Sequence, residues 1–216
     1  MKTKATAKFW FLFLFLFIST RRSVHSERVD LVNDSKGRAL LIDRSYFILL
    51  DNGGSITAVD TSFCQISVIQ LLHNITIPSK ISISHDSFGF ITTGFPISIS
   101  FPSFTVPSLC ISSNKWVVVK SKPLGKHVMV GDEADYDNVV CGSFYLKTYD
   151  YDKGYYKPVF CEGEGESDCT HIGVQFDDEY FRRLVVTDHL EPLIFKFVMA
   201  EDDSFALEDS SIVRTW

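Results

Sequence analysis

Long hydrophobic runs are nearly absent from this sequence of 216 residues. Only one uninterrupted apolar run, Phe9–Ile18, reaches ten residues, whereas a membrane-spanning helix needs about 20. Lys2, Lys4 and Lys8 precede the run, and small and polar residues follow it up to Ser26. This is the layout of a secretory signal peptide that is cleaved after Ser26, with a signal anchor as the competing interpretation. We expect no other segment to enter a membrane.

Basic residues are too few to suggest a nucleic-acid partner. The signal segment, residues 1–26, holds five of the 21 Lys and Arg residues and none of the 27 Asp and Glu residues, so the mature chain keeps 16 against 27, a formal net charge of −11. Binding to nucleic acid or to an anionic membrane depends on basic residues that meet phosphates. We therefore expect neither nucleic acid nor a membrane as a partner. We expect a monomer, and its acidic charge favours a protein partner with a basic rim.

Helical periodicity is also scarce, and short segments rich in Val, Ile and Phe alternate with Gly, Asn, Asp and Pro. The turn sequences Asp51–Gly54, Pro123–Gly125 and Asp152–Gly154 separate several of these segments. The pattern indicates an all-β barrel or sandwich. The predicted strands are Ala39–Ile42, Tyr46–Leu50, Gln65–Gln70, Ile81–Ser84, Ile97–Phe101, Trp116–Val119, Phe144–Thr148, Tyr156–Phe160, Ile172–Phe176, Leu184–Val186 and Ile194–Val198.

The domain organisation is simple, because no linker divides the chain after the signal segment. Residues 27–200 are predicted to form one domain, a length that can enclose a sizeable core. Residues 201–216 lose the strand pattern, and we expect a loosely held C-terminal tail there.

Catalytic and metal-binding motifs are missing. The sequence has no G-x-S-x-G nucleophile motif and no C-x-x-C pair, and its histidines are scattered. The segment Asp150–Gly154 resembles part of a calcium loop, but its glycine comes one position early and no Glu closes it, so we interpret it as a hairpin turn. We expect no enzyme activity, no cofactor and no metal.

The five cysteines are Cys64, Cys110, Cys141, Cys161 and Cys169. In an exported protein cysteines indicate disulfides, and an odd number leaves one without a partner in the same chain. Two sequons, which begin at Asn33 and Asn74, predict a glycoprotein with both asparagines at the surface.

Several separated motifs occur in an order and spacing typical of a known family. They are Val32–Leu40, Tyr46–Ile48, Cys64–Val68, Leu109–Cys110, Trp116–Val118, Phe160–Cys161, Cys169, Ile172–Gly173, Arg182–Val186 and Pro192–Leu193. Through them the chain, from about Val29 to about Met199, resembles the plant Kunitz-type (soybean trypsin inhibitor) family. One residue departs from the pattern, because Lys36 stands where the family prefers an acidic or small polar residue.

The resemblance implies a β-trefoil of twelve strands with pseudo-threefold symmetry and two disulfides, Cys64–Cys110 and Cys161–Cys169. Cys141 has no counterpart in these bridges. We expect it to be a buried thiol at a strand edge, with an intermolecular disulfide as the alternative. As in the family, the protein is expected to be secreted to the extracellular space or apoplast, or delivered to a vacuole, and to serve plant defence.

The resemblance also implies a protease-binding loop between two strands that follow the first cysteine. Alignment of Ile81–Ser84 and Phe90–Phe101 with the family places the loop at His85, Asp86, Ser87, Phe88 and Gly89. The family's primary specificity residue then falls at Ser87, and the scissile-type bond lies between Ser87 and Phe88. His85 and Asp86 are expected to set the approach to the enzyme.

The loop lacks the features that a trypsin inhibitor needs. Trypsin's first pocket ends in a carboxylate and prefers Lys or Arg, and residues 81–101 contain neither. The family braces the loop with an Asn side chain near the N-terminus, and the matching residue here is Ile42.

We therefore expect an inhibitor of a serine endopeptidase other than trypsin. Ser87 suits the small pocket of an elastase-like or subtilisin-like enzyme, and Phe88 suits a chymotrypsin-like pocket if the register shifts by one. The alternative is a non-inhibitory β-trefoil that binds another protein or a carbohydrate.

Overall fold

The computed structural model describes residues 29–42, 44–62, 64–71, 80–84, 89–101, 111–163 and 168–200. Over these residues it contains twelve β-strands and one short 3₁₀ helix, Glu133–Asp135, which confirms the predicted all-β class. The strands are β1 (Ser45–Leu50), β2 (Ser55–Ser62), β3 (Gln65–Leu71), β4 (Lys80–Ser84), β5 (Ser98–Ser100), β6 (Trp116–Ser121), β7 (Gly125–Val130), β8 (Ser143–Asp150), β9 (Tyr155–Cys161), β10 (Cys169–Phe176), β11 (Arg182–Val186) and β12 (Phe195–Met199). None of the described elements is a helix long and apolar enough to cross a membrane. The predicted signal segment and C-terminal tail lie outside the described residues.

Alternating burial explains why these segments form strands. In β1 the side chains of Tyr46, Ile48 and Leu50 are buried, and the residues between them are half-buried. Successive side chains of a strand point to opposite faces, so this alternation suits one face packed on a core. β12 pairs antiparallel with β1 along its length, from Tyr46 opposite Met199 to Leu50 opposite Phe195.

Six of the strands close a barrel. β1 pairs with β4 and β12, β4 with β5, β8 with β9, and β9 with β12. The ring closes where Ile97, next to β5, bridges Phe144 in β8, and the amide of Ile97 donates to the carbonyl of Phe144 at 2.8 Å. Aromatic side chains fill the core, and the rings of Phe195 and Phe197 pack edge to face with centroids 5.1 Å apart.

The other six strands form three hairpins, β2–β3, β6–β7 and β10–β11. One strand of each hairpin meets the other two, because β3 pairs with β7, β7 with β11, and β11 with β3. A six-stranded barrel with three mutually paired hairpins is a β-trefoil with pseudo-threefold symmetry, which confirms the predicted fold.

Strands β2 and β7 are absent from the sequence-based prediction, for a physical reason in each case. β2 buries the polar Ser55 and the small Ala58 as well as Ile56, so the segment has little of the apolar alternation that marks a strand. β7 begins at Gly125, which turn chemistry assigns to the preceding connection, and its buried residues include the polar His127.

The predicted strand Ala39–Ile42 is wrong. Within it, Ala39 forms an isolated bridge with Asn33, and Leu41 forms another with Phe90. Each of the two neighbouring segments pairs with a single residue of this one, so no continuous ladder of β-sheet hydrogen bonds forms. It is a connection that leads into β1.

The three predicted turns are confirmed, since they lie between β1 and β2, between β6 and β7, and between β8 and β9. The second and third each join the two strands of a hairpin. In the turn between β8 and β9, Asp150 Oδ1 accepts the amide of Lys153 at 3.2 Å, and Asp150 Oδ2 lies 3.3 Å from Nζ of the same lysine. Gly154 completes this turn with φ of 65°, a left-handed conformation that suits glycine. The Asp150 carboxylate thus serves the predicted hairpin turn.

The disulfide Cys161–Cys169 is confirmed, and it joins β9 to β10. Cys64 is also disulfide-bonded, and its predicted partner, Cys110, lies outside the described residues. The prediction for Cys141 is half right: it is a free cysteine, but it is exposed rather than buried. It precedes β8 rather than lying in a strand.

Gly142, rather than Cys141, is the residue that packs against β9. A Cβ at Gly142 would lie 2.4 Å from the carbonyl oxygen of Cys161 and 2.5 Å from a ring atom of Phe160. We expect Gly142→Ala to lower the free energy of unfolding in urea by about 1–3 kcal/mol, because the strand must shift to admit the methyl group. Gly89→Ala is the matched control, since no atom of the described residues lies within 4 Å of its Cβ position. Equal effects of the two substitutions would contradict the steric argument.

Candidate functional site

The predicted loop begins where β4 ends, and His85–Phe88 lie outside the described residues. The chain before the loop is fixed on both sides, because β4 pairs with β1 and with β5. Ile83, opposite Ile99 of β5, is fully buried, and Ser84, the last residue of β4, is exposed. Ile83 is therefore the last core contact before the loop.

The chain after the loop is fixed by a different segment. Gly89 is exposed, and its carbonyl accepts a hydrogen bond from the amide of Ile42 at 3.2 Å. Phe90, which bridges Leu41, is 47% exposed. Ile91 is fully buried, and its amide donates to the carbonyl of Leu40 at 2.9 Å. The chain thus returns to the core at Ile91.

A buried tyrosine supports this second anchor. The amide of Leu41 donates to the hydroxyl oxygen of Tyr46 at 2.7 Å. Tyr46 is fully buried in β1, and burial raises the pKa of its hydroxyl, which therefore stays protonated near neutral pH. Because β1 also pairs with β4, one strand supports both ends of the loop.

Ile42 braces the loop in a way that its side chain does not predict. The side chain is half-buried and packs against the hydrophobic core, and its main-chain amide holds Gly89. Sequence reasoning considered only the amide side chain that Ile42 lacks, and it also missed Tyr46. A tyrosine at an inward position of β1 is the signal that could have identified the second residue.

The remaining predicted site residues are the glycosylation candidates. Asn33 is half-buried, and its main-chain amide donates to the hydroxyl oxygen of Tyr156 at 2.8 Å. Asp34, within the same sequon, is buried, and its carboxylate pairs with Arg38 at 2.6 Å. Asn74 lies outside the described residues. Glycosylation of both sites stays a prediction.

The arrangement can present an exposed segment to a partner. The buried Ile83 and Ile91 fix the chain on either side, and Ser84, Gly89 and Phe90 between them are at the surface. A segment whose ends are already fixed loses less conformational entropy when it binds. In the part of the chain that the structure describes, no three His, Cys, Asp or Glu side chains are placed to share a metal ion.

Comparison with known proteins gives concordant results. The legume Kunitz family model, described as trypsin and protease inhibitor, matches residues 32–198. Trypsin inhibitor A of Glycine max is 33% identical over 222 residues, which cover 98% of this chain and 99% of the relative. Subtilisin inhibitor CLSI-II of Canavalia lineata is 28% identical and covers 74% of this chain and 88% of its own length. A solved complex of porcine pancreatic trypsin with soybean trypsin inhibitor matches with a TM-score of 0.67 and 30% identity, over 80% of this chain and all of the other.

Proposed function

The chain belongs to the Kunitz-type family of plant trypsin and protease inhibitors, and on this premise we propose that it inhibits a serine endopeptidase other than trypsin through residues 85–89. The observation that carries the proposal is the support of both loop ends by β1, directly through β4 and indirectly through Tyr46. An inhibitor of this kind binds like a substrate. Its rigid loop fits the cleft of the enzyme, and the fixed ends stay in place if the peptide bond is cut.

The proposed specificity follows from Ser87. A short neutral side chain cannot pair with the carboxylate in the first pocket of trypsin, and it fits a small pocket instead. The family relative that is named a subtilisin inhibitor supports a target outside trypsin. Phe88 would then contact the leaving side of the substrate-binding cleft.

The proposed setting is extracellular or vacuolar. The mature domain, residues 27–200, would act after removal of the signal segment, as a binding protein rather than an enzyme. The formal net charge of −11 that the mature chain, residues 27–216, carries after cleavage favours an enzyme with a basic rim around the active site.

The test is a titration of the purified mature protein against elastase, subtilisin, chymotrypsin and trypsin. We expect inhibition of a member other than trypsin with a Kd on the order of 1 nM, as is common for protease–inhibitor pairs. Replacing Ser87 and Phe88 together by Gly should weaken that inhibition at least about 100-fold, because hot-spot side chains dominate such interfaces.

The matched control replaces Asp188 and His189 together by Gly, since both side chains are largely exposed and lie in a different loop. This variant should inhibit like the wild type. If the wild type inhibits no protease while its circular dichroism is that of a folded β protein, the inhibitory proposal fails. The non-inhibitory trefoil that binds another protein or a carbohydrate would then be favoured.

A further inference from the structure

The three hairpins place equivalent residues around the pseudo-threefold axis. Ser67 of β3 pairs with Met129 of β7, His127 of β7 pairs with Val185 of β11, and Arg183 of β11 pairs with Ile69 of β3. Because each hairpin repeats the same pairing, these residues form two layers. One layer contains Ser67, His127 and Arg183, and the other contains Ile69, Met129 and Val185.

The two layers differ in chemistry although both are buried. Ile69, Met129 and Val185 form an apolar layer, as a core position favours. Ser67, His127 and Arg183 are polar, yet they are only 0%, 5% and 8% exposed. Burial of polar groups costs free energy unless they are hydrogen-bonded, so each polar atom of this layer needs a partner.

Arg183 has its partners within the protein. Its Nε donates to Asp177 Oδ2, and its Nη1 donates to Ser67 Oγ and to Thr61 Oγ1, the latter at 3.0 Å. Its Nη2 lies 3.5 Å from Glu179 Oε2. The Arg183 guanidinium and the Ser67 hydroxyl are therefore satisfied.

His127 differs, because only one of its ring nitrogens has a partner in the part of the chain that the structure describes. Nδ1 lies 3.5 Å from the carbonyl oxygen of Gly125 and 3.4 Å from Ser121 Oγ. Nε2 has no hydrogen-bond partner among the described residues. The described polar atoms that are both fully buried and without a partner are Thr92 Oγ1 and Trp116 Nε1, and Nε2 of His127 is not one of them. Burial, and to a lesser extent the charge of Arg183, lowers the pKa of His127, so the ring is neutral near pH 7. When Nδ1 carries the proton and donates it to the Gly125 carbonyl, which can only accept, Nε2 presents a free acceptor.

His127 lines a cleft of about 630 Å³ at the end of the barrel where the turns of the three hairpins meet. Each hairpin contributes its turn, with Cys64 from the first, Leu124 from the second and Asp178 from the third. This volume lies within the range of about 300–1,000 Å³ that small-molecule sites occupy. The lining of the cleft includes none of Ser84, Gly89 and Phe90, the described residues next to the predicted inhibitory loop.

The charges around the cleft favour a neutral ligand. Acidic and basic side chains both line it: Asp135, Asp137, Asp177, Asp178 and Glu179 are acidic, and Lys120, Lys122 and Arg183 are basic. A charged ligand of either sign would meet like charges there. The half-buried Leu124 and Tyr136 add apolar surface to the lining. A sugar suits such a cleft, because it is uncharged, its hydroxyl groups donate and accept hydrogen bonds, and its C–H faces are apolar.

We propose that the cleft binds a neutral saccharide, one of whose hydroxyl groups donates a hydrogen bond to Nε2 of His127. The other hydroxyls would meet the polar rim, and the sugar's C–H face would lie on Leu124 and Tyr136. Binding here is independent of protease inhibition, since it uses none of residues 85–89.

The test is a titration of the full mature protein with glucose, galactose, mannose and N-acetylglucosamine, followed by ¹H–¹⁵N spectra of the histidine rings. For one of these sugars we expect the His127 ring signals to shift and saturate with a Kd on the order of 1 mM, as the binding efficiency of a small ligand implies. The exposed His189 is the internal control, and its signals should not move. This experiment needs no variant and therefore does not depend on the stability of one.

A substitution and two charged probes complete the test. His127→Leu should weaken sugar binding at least about tenfold, because it removes the acceptor, whereas His189→Leu should leave it unchanged. In two further titrations, arginine amide serves as the cationic probe and inorganic phosphate as the anionic probe in place of the sugar. The proposal is overturned if no sugar shifts the His127 signals at about 50 mM, some fifty times the expected Kd, or if only a charged probe does.

Discussion

Ser87→Arg is expected to turn the protein into a trypsin inhibitor with a gain of about 1,000-fold in affinity, because two charge-assisted hydrogen bonds at roughly 2 kcal/mol each would form with the pocket carboxylate. The wild-type side chain, a neutral hydroxyl, offers that carboxylate no ion pair. The gain should appear only if the loop is already held in a shape that the enzyme accepts. The measurement is the inhibition constant against trypsin for wild type and variant at the same ionic strength.

Two further variants show what limits this gain. Ser84→Arg is the matched control, because Ser84 is exposed but belongs to β4, where it pairs with Ser98. It should leave trypsin inhibition near the wild-type level, since added charge alone does not fill the pocket. Ile42→Asn in the Ser87→Arg background supplies the side-chain amide that the family uses, beside the main-chain bond to Gly89.

The combination of results separates the possible causes. Inhibition by Ser87→Arg alone would mean that the main-chain bond from Ile42 to Gly89 and the support from Tyr46 suffice. Inhibition only after Ile42→Asn is added would mean that the loop needs the missing amide. No inhibition by either variant, in a protein that still unfolds cooperatively, would contradict the placement of the inhibitory loop at residues 85–89.

Much of the fold could be predicted from the sequence, because strand alternation and turn residues are local signals. Segments such as Tyr46–Leu50 have both, and the resemblance of separated motifs supplied the trefoil arrangement. The errors came where local signals mislead. β2 buries Ser55 and Ala58, and β7 starts at a turn glycine, so neither carries a clear apolar pattern.

The supports of the candidate site could not be predicted in the same way. The bond from Ile42 to Gly89 joins two main-chain groups, and such a bond leaves no trace in side-chain identity. The polar layer of Ser67, His127 and Arg183 depends on the pairing of three distant hairpins, so the sequence shows three unrelated residues. Only the strand register places them around one axis.

Arg183 is expected to be the most important polar side chain for stability. Its guanidinium is 10% exposed and pairs with the Asp177 carboxylate, which is 6% exposed, while Nη1 reaches Ser67 and Thr61 of another hairpin. Arg183→Met should therefore lower the free energy of unfolding by about 3–5 kcal/mol, because it leaves a buried carboxylate without its counter-ion. The measurement is urea unfolding followed by circular dichroism.

Arg182→Met is the matched control, since this neighbour is less buried and covers the Phe176 ring. Among the described side chains it bonds only that of Gln70, at 2.9 and 2.7 Å. Its loss should cost about 2 kcal/mol, the typical net value of a hydrogen bond to a charged group, because it leaves no buried carboxylate without a counter-ion. A similar cost for both variants would contradict the special role of Arg183. In that case the buried pair would contribute no more than an ordinary surface contact.

The pH dependence of the Arg183→Met effect tests the electrostatic cause. Burial alone would raise the pKa of Asp177, but the hydrogen bonds from Arg183 and from the amides of Phe181 and Glu179 outweigh it, and the pKa lies below its ordinary value. A carboxylate with a depressed pKa stabilises the fold above the pKa of the unfolded chain, about 3.9, and this contribution is lost as pH falls through the folded-state pKa. The stability difference between wild type and Arg183→Met should therefore be full at neutral pH and shrink below about pH 4. A difference that stays constant down to that range would assign the loss to packing of the arginine stem instead of to its charge.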